Sequence, residues 1–169
     1  MQKVGQFFKV SFSQFEKDVL ANFKNPPNNL KEIYDKILLP KRATMQSAGY
    51  DFFSPFDITL PPKTEMVVPT GIRVQMADGT FLAVFPRSGL GFKFKMQLCN
   101  TVGIIDADYF NADNEGHILL KIFNDTNKQQ TITVEQGKGF AQGILLPFGI
   151  TEDDEVSQTR TGGFGSTTK

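Results

Sequence analysis

Cysteine and histidine are scarce in this chain, and each shortage excludes a class of site. Among the 169 residues, Cys99 is the only cysteine and His117 is the only histidine. A single cysteine cannot form an internal disulfide or a multi-cysteine zinc site, so the chain fits a reducing compartment and we expect it in the cytoplasm. A single histidine excludes a site built from two histidines of one chain and leaves one position for a histidine base.

The chain also lacks the charge excess and the long apolar runs of proteins that bind nucleic acids or membranes without specificity. Its 18 Lys and Arg residues balance 18 Asp and Glu residues, which gives a formal net charge of +0. No apolar run reaches the roughly 18 residues of a membrane span, and the first residues do not resemble a secretion signal. We therefore expect no nucleic-acid partner and no membrane partner, and any bound phosphate must be held by a few placed groups.

What the sequence has in abundance is the composition of a β protein. Its 17 Phe, 15 Gly and 9 Pro favour short strands separated by turns. From about Leu38 short apolar runs alternate with turn residues, which predicts antiparallel β structure with no helix before Pro147. Turn residues predict hairpins at 77–79 and 124–127. The predicted strands lie near 50–53, 65–69, 72–75, 81–85, 118–123, 131–134 and 140–147.

The N-terminal segment has a helical pattern instead. Ser13 and Glu16 have the spacing of a capping box, and Phe15, Val19 and Phe23 recur every fourth residue. These features predict a helix from Ser13 to about Phe23. A weaker helical pattern covers residues 30–36.

The last residues are rich in Gly, Ser and Thr and cannot offset their ordering entropy by burial alone. The chain length fits a single domain. We divide it into an N-terminal helical extension (1–37), a β core (38–156) and a C-terminal segment (157–169), which is either a disordered tail or an arm that orders against a ligand or a neighbouring chain.

Two segments concentrate groups that suit phosphate and nucleotide chemistry. Residues 86–90 place an arginine, a serine and a glycine at the end of a predicted strand, which suits phosphate oxygens. An ordinary strand end with a surface ion pair is the alternative. Residues 100–109 deliver two carboxylates and a tyrosine after an apolar hairpin-like run, which suits a base that activates water beside a flat ring for a sugar. A turn whose Asp bonds to local backbone is the alternative there.

Two glycine-rich segments give a weaker signal. Residues 137–142 are best interpreted, in isolation, as a hairpin turn that enters a strand. The tail at 162–167 has amides and hydroxyls for a phosphate chain but is not a Walker A loop. We interpret Cys99 as a small core residue and His117 as a surface or rim residue, and neither as catalytic.

Taken in order, five segments of the chain resemble the motifs of the homotrimeric dUTPases. The resemblance implies a mainly β fold, a distorted antiparallel jelly roll with a short N-terminal helical segment and an extended C-terminal arm. Residues 38–156 would then form the β-barrel core, residues 1–37 would dock on its outside, and residues 157–169 would be the flexible arm. It also implies Mg²⁺-dependent hydrolysis of dUTP to dUMP and pyrophosphate, in a homotrimer whose subunits share each active site. The segments are AGYDF at 48–52, PRSGL at 86–90, NTVGIIDADY at 100–109, GKGFAQ at 137–142 and RTGGFGST at 160–167.

The resemblance assigns expected roles to individual residues. Asp106 corresponds to the base that activates water for in-line attack on the α-phosphorus, Tyr109 to the tyrosine that lies against the deoxyribose and excludes UTP, and Asn100 to the residue that hydrogen-bonds uracil. Asp51 corresponds to the aspartate that helps to hold hydrated Mg²⁺, and Phe164 to the ring that stacks on uracil. The expected phosphate ligands are Arg87, Ser88, Gly89, Gln142, Arg160, Gly165, Ser166 and Thr167.

The chain departs from the family pattern at three places. Gly139 stands where the family often has a basic residue, the segment 110–115 is longer than the common turn, and Arg160 lies one residue closer to Phe164. Two alternatives therefore stay open at this point. One is an enzyme like dCTP deaminase, against which Asp106 with Tyr109 argues. The other is a non-catalytic trimeric binding or regulatory protein, against which the intact Asp106, Arg87 and Tyr109 argue.

Overall fold

A computed structural model describes residues 2–157 of the chain. The structure is mainly β, with 36% strand and 19% helix, which confirms the predicted class. The helices are α1 (Phe12–Asn22), α2 (Leu30–Asp35), α3 (Ser88–Phe94) and a 3₁₀ helix at Ala107–Asn111. The strands are β1 (Gly5–Lys9), β2 (Lys41–Arg42), β3 (Tyr50–Phe53), β4 (Ile58–Leu60), β5 (Glu65–Pro69), β6 (Ile72–Met76), β7 (Thr80–Pro86), β8 (Met96–Leu98), β9 (Gly103–Ile105), β10 (Leu119–Asn124), β11 (Ile132–Val134) and β12 (Gly139–Pro147).

Every strand pairing is antiparallel across the part of the chain that the structure describes. The largest sheet has the order β2-β3-β12-β7-β9, and the others have the orders β5-β10-β8, β11-β4 and β1-β6. Strand β12 pairs with β3 on one side and with β7 on the other, so that Gln142 lies opposite both Asp51 and Phe85. This register brings residues far apart in sequence to one region of the sheet.

The N-terminal extension packs into the common hydrophobic core. Phe15 and Val19 of α1 are fully buried, and β1 pairs along its whole length with β6. We expected this segment to dock on the outside of the barrel, and a docked helix buries its apolar side in this way; the sequence did not predict strand β1, which joins the segment to β6. The helix also begins earlier than the sequence predicted, because the Ser11 side chain, not that of Ser13, accepts the hydrogen bond of the Gln14 amide at 3.1 Å.

The predicted strand positions are confirmed within about two residues, whereas the predicted hairpins are wrong. Across the turn at 77–79, β6 pairs with β1 and β7 pairs with β12 and β9. Across the turn at 124–127, β10 pairs with β5 and β8, and β11 pairs with β4. Turn residues reverse the chain, but the burial of each strand's apolar face selects its partner.

The expectation of no helix between Leu38 and Pro147 is also wrong, since α3 and the 3₁₀ helix lie there. Helix α3 carries two glycines of low helix propensity and ends at Lys95, which has a left-handed backbone with φ 54°. No helix within residues 2–157 has both the length and the apolar character needed to cross a membrane.

Candidate functional site

The largest sheet gathers three of the predicted segments into one polar cluster. Gln142 on β12 lies opposite Asp51 on β3, and Ala141 lies opposite Pro86, the residue before Arg87. The Nε of Arg87 is 3.3 Å from Oδ1 of Asp51, and the side chain of Gln142 donates to the Pro86 carbonyl at 3.4 Å. Together with Ser88 these side chains line an open cavity of about 380 Å³. We call Asp51, Arg87, Ser88 and Gln142 the anion cluster, because its arginine fork and hydroxyl suit phosphate oxygens.

Two glycines make room for the side chains of the anion cluster. A Cβ atom at Gly139 would lie 2.8 Å from Nη1 of Arg87, and one at Gly49 would lie 2.6 Å from Oε1 of Gln142. The Arg87 guanidinium donates to the Gly139 carbonyl at 3.4 Å. The absence of a side chain at 139 therefore lets the guanidinium of Arg87 lie directly against β12.

A second cavity lies beside the turn between β8 and β9. Its volume is about 400 Å³, and we call it the turn cavity. Strand β8 pairs with β10 and β9 pairs with β7, so the turn at 99–102 joins two sheets and is closed by a bridge between Leu98 and Thr101. The lining includes Asn100, Gly103 and Ile105 from the turn and β9, Leu119 and Lys121 from β10, and Asn22 from the end of α1.

Asp106 and Tyr109 follow directly after β9. Asp106 is exposed at the start of the 3₁₀ helix and lines a third cavity of about 820 Å³ together with Asp108 and Phe148. Tyr109 is only 2% exposed, and its hydroxyl donates to the His117 carbonyl at 2.9 Å and accepts from the Asn114 amide at 2.8 Å. Asp106 is therefore accessible to a solvent molecule, whereas the Tyr109 side chain is buried and is held by two hydrogen bonds at its hydroxyl.

The anion cluster and Asp106 lie at opposite ends of β7. Ile105, the residue before Asp106, pairs with Leu82, and Arg87 is five residues further along. At about 3.3 Å per residue this separates them by roughly 17 Å, more than the distance between the first and last phosphorus atoms of a triphosphate. The Arg87 side chain also turns toward β3, whereas β9 lies on the other side of β7. Within one protomer, Asp106 and Arg87 therefore lie at separate ends of β7 and face different strands.

Comparison with known proteins identifies the family of this chain. The family model for dUTPase matches residues 35–168. The deoxyuridine 5'-triphosphate nucleotidohydrolase of Lactococcus lactis subsp. lactis (strain IL1403) is 36% identical over 153 residues, which cover 89% of this chain and 95% of that protein. The enzyme of the same name from Citrobacter koseri is 38% identical over 135 residues, 75% of this chain and 84% of that protein. The chain belongs to the dUTPase family.

The solved structures agree with that membership. The crystal structure of dUTPase from Streptococcus mutans superimposes with a TM-score of 0.62 and 38% sequence identity, covering 70% of this chain and 91% of that chain. The antiparallel sheets of this dUTPase are thus those of a jelly-roll-like fold, as the motifs implied. The predicted class of enzyme, a hydrolase of dUTP, is confirmed as well.

The surroundings of His117 and Cys99 differ from the sequence interpretation. His117 is fully buried, with Nδ1 at 2.5 Å from Oδ2 of Asp18 and Nε2 accepting the Gly71 amide at 2.8 Å. The two ring nitrogens of His117 thus bond to two segments that are distant in sequence, and the expectation of a surface residue is wrong. Cys99 is exposed and not in the core. Desolvation and the Glu65 carboxylate raise the pKa of the Cys99 thiol, which disfavours a nucleophilic thiolate.

The predicted metal ligand lies in the described part of the chain, whereas the predicted ligands of the C-terminal segment do not. Within residues 2–157 no three His, Cys, Asp or Glu side chains converge on a metal position. Asp51 is nevertheless a carboxylate beside the anion cluster, and it fits an ion that is held mainly by water and substrate phosphates, as Mg²⁺ usually is. The predictions for Arg160, Phe164, Gly165, Ser166 and Thr167 lie outside the described residues.

Proposed function

We propose that this dUTPase converts dUTP to dUMP and pyrophosphate in a homotrimer, at a site divided between neighbouring protomers. One protomer contributes the turn cavity and, after β9 in the chain, Asp106 and Tyr109. Its neighbour contributes the anion cluster. The observation that carries the division is the register of β7, in which Leu82 pairs with Ile105, the residue before Asp106, and Arg87 lies five residues, or roughly 17 Å, further along. A neighbouring copy related by symmetry supplies the missing half in a closed ring.

The turn cavity would hold the uracil base. Asn100 offers an amide that both donates and accepts, and the backbone at Gly103 and Ile105 lines the same cavity with further donors and acceptors. Cytosine presents a different pattern of donors and acceptors, so it would leave a group of the cavity unpaired. A buried polar group without a partner costs about 1 to 3 kcal/mol, which is enough to set a preference between the bases.

Asp106 would act as the general base. Its carboxylate would accept a proton from a water molecule while the water oxygen forms a bond to the α-phosphorus. The bond from the α-phosphorus to the bridging oxygen breaks, and pyrophosphate leaves with that electron pair. Asp106 is exposed, stands directly after the fixed strand β9 and lines an open cavity, so the carboxylate is accessible and held at its backbone.

The neighbour's anion cluster would hold the triphosphate in line for this attack. Arg87 and Ser88 would bind phosphate oxygens with Gly89, and Gln142 would face the same chain of phosphates. Asp51 would hold a water of the bound Mg²⁺, which neutralises charge on the triphosphate. Arg160, Gly165, Ser166 and Thr167 would cover the phosphates, and Phe164 would stack on the base.

The reaction is tested by measuring pyrophosphate and ammonia released from dUTP, UTP, dCTP and dTTP. We expect pyrophosphate from dUTP, little from the other three, and ammonia from none. Ammonia from dCTP would favour the deaminase alternative, and no product from any of the four would favour a binding protein without catalysis. Chelation of Mg²⁺ should abolish the release, because the triphosphate charge is then not neutralised.

Replacing Tyr109 by alanine tests the sugar-contacting wall. We expect the ratio of kcat/KM for dUTP over that for UTP to fall, because the space that excludes a 2′-hydroxyl opens. Truncating a buried aromatic side chain also costs about 3 to 5 kcal/mol of folding free energy, so rates must be compared at a temperature where the variant is folded. An unchanged ratio would contradict the role of Tyr109 as the sugar wall.

A further inference from the structure

Two parts of the chain that lie outside the five motif segments contact each other. The extension that carries α1 precedes the matched residues 35–168, and the segment 110–115 is the long loop after β9. The backbone amide of Ser11 donates to Oε2 of Glu115 at 2.7 Å, and its hydroxyl donates to Oε1 at 2.6 Å. Ser11, which caps α1, therefore donates a hydrogen bond to each carboxylate oxygen of Glu115.

The second contact joins the middle of α1 to His117, two residues after this loop. The Nε2 atom of His117 accepts a hydrogen bond from the Gly71 amide, so the neutral ring carries its proton on Nδ1 and donates it to Asp18. The side-chain amide of Gln14 donates to the same oxygen of Asp18 at 2.8 Å. Burial alone would raise the pKa of Asp18, but the hydrogen bonds from His117 and Gln14 outweigh it and lower that pKa. The acceptor on α1 is therefore an ionised carboxylate, which makes the stronger kind of hydrogen bond.

The loop in turn holds the phenol of Tyr109. The Tyr109 hydroxyl donates to the carbonyl of His117, and the Asn114 amide donates to the Tyr109 hydroxyl. Asn114 belongs to the loop that Ser11 contacts through Glu115, and His117, two residues after the loop, is held by Asp18. A continuous set of hydrogen bonds thus runs from α1 through His117 to the ring of Tyr109.

We propose that α1 is a positioning element for Tyr109, and that Asp18 and Ser11 thereby set how strongly the enzyme prefers deoxyribose to ribose. The proposal rests on the proposed function, in which Tyr109 lies against the sugar. The Tyr109 side chain can exclude the 2′-hydroxyl of ribose only if it cannot move away from the sugar. A displacement of about 1 Å is enough to change a rate substantially. Helix α1 would hold the Tyr109 side chain in position without contacting the substrate.

The test compares two substitutions of Asp18 with a matched control. Asp18→Ala removes the acceptor of His117, whereas Asp18→Asn keeps an oxygen in its place. Asp35→Asn is the control, because this exposed carboxylate on α2 pairs only with the exposed Lys31 among the salt bridges of the described chain. The kcat and KM values for dUTP and UTP are measured separately, well below the Tm of each variant.

We expect Asp18→Ala to lower the dUTP to UTP ratio of kcat/KM by about tenfold, the scale of losing one charge-assisted hydrogen bond behind the wall. The change should arise from a higher KM for dUTP and a lower KM for UTP, with kcat for dUTP changed less. Asp18→Asn should recover most of the ratio, and Asp35→Asn should keep the wild-type ratio. A lower Tm with an unchanged ratio in Asp18→Ala would overturn the proposal, since α1 would then only stabilise the fold.

Two further variants keep the proposal falsifiable if Asp18→Ala does not fold. Ser11→Ala removes the hydroxyl contact with Glu115 but leaves the His117 ring satisfied, and it should lower the ratio in the same direction. If Asp18→Ala does not fold, an unchanged ratio in Ser11→Ala would overturn the proposal, because Asp18→Asn is expected to keep most of the ratio. Tyr109→Ala separates the two levels of the account. If it lowers the ratio and the α1 variants do not, only the role of α1 fails; if it does not lower the ratio, the sugar role of Tyr109 fails and the proposal fails with it.

Discussion

We expect Asp106→Asn to lower kcat for dUTP by about 10²- to 10⁴-fold, the range for removing a general base. Asparagine has nearly the same shape, but its amide cannot accept a proton from water at neutral pH. Because residue 106 is exposed, we expect the fold and the affinity for nucleotide to change little. Single-turnover hydrolysis of dUTP measures the chemical step directly, and a non-hydrolysable analogue measures binding.

The matched control for this prediction is Asp108→Asn. Asp108 is also an exposed carboxylate, lies two residues further along and lines the same cavity as Asp106. It should keep a kcat close to that of the wild type. A near-native kcat in Asp106→Asn, or an equal loss in both variants, would contradict the assignment of Asp106 as the base.

The second large effect is expected from Arg87→Ala. Removing a guanidinium that stabilises phosphate charge in the transition state should lower kcat/KM by about 10²- to 10³-fold. Stability should change little, because the exposed ion pair with Asp51 contributes about 0 to 1 kcal/mol. Steady-state kinetics with dUTP, together with thermal unfolding, measure the two effects separately.

Two related variants sharpen the prediction for Arg87. Arg87→Lys keeps the charge but loses the fork of donors, so its kcat/KM should fall between the wild type and alanine. Gly139→Ala places a Cβ 2.8 Å from Nη1 of Arg87 and should displace the guanidinium without straining the backbone. A wild-type kcat/KM in Arg87→Ala would remove the anion cluster from the proposed site.

The sequence predicted the positions of strands better than their pairing. The bounds of β3 and β5 are those predicted, because each is a short apolar run between turn residues. Both predicted hairpins failed, since a local turn signal carries no information about which distant strand covers an apolar face. The sequence did not predict helix α3 because two of its seven residues are glycines, which have low helix propensity.

The candidate site shows the same division between local and distant information. The resemblance to dUTPases named the motif residues, and the register of β12 explains why Asp51, Gln142 and Arg87 meet. The burial of His117 was not predictable from nearby residues, because its partners Asp18 and Gly71 lie 99 and 46 positions away. Likewise, only the coordinates reveal that Gly139 leaves space for Arg87.

The central claim is that Asp106 and Arg87 serve one substrate from two different chains. Co-expression of an Asp106→Asn chain with a differently tagged Arg87→Ala chain tests it, with each inactive variant alone as the control. In a ring of three, every mixed trimer has one divided site in which both residues are intact, so purified mixed trimers should recover roughly one third of the wild-type rate of dUTP hydrolysis. A mixture as inactive as either variant alone would show that both residues act within one chain and would contradict the account.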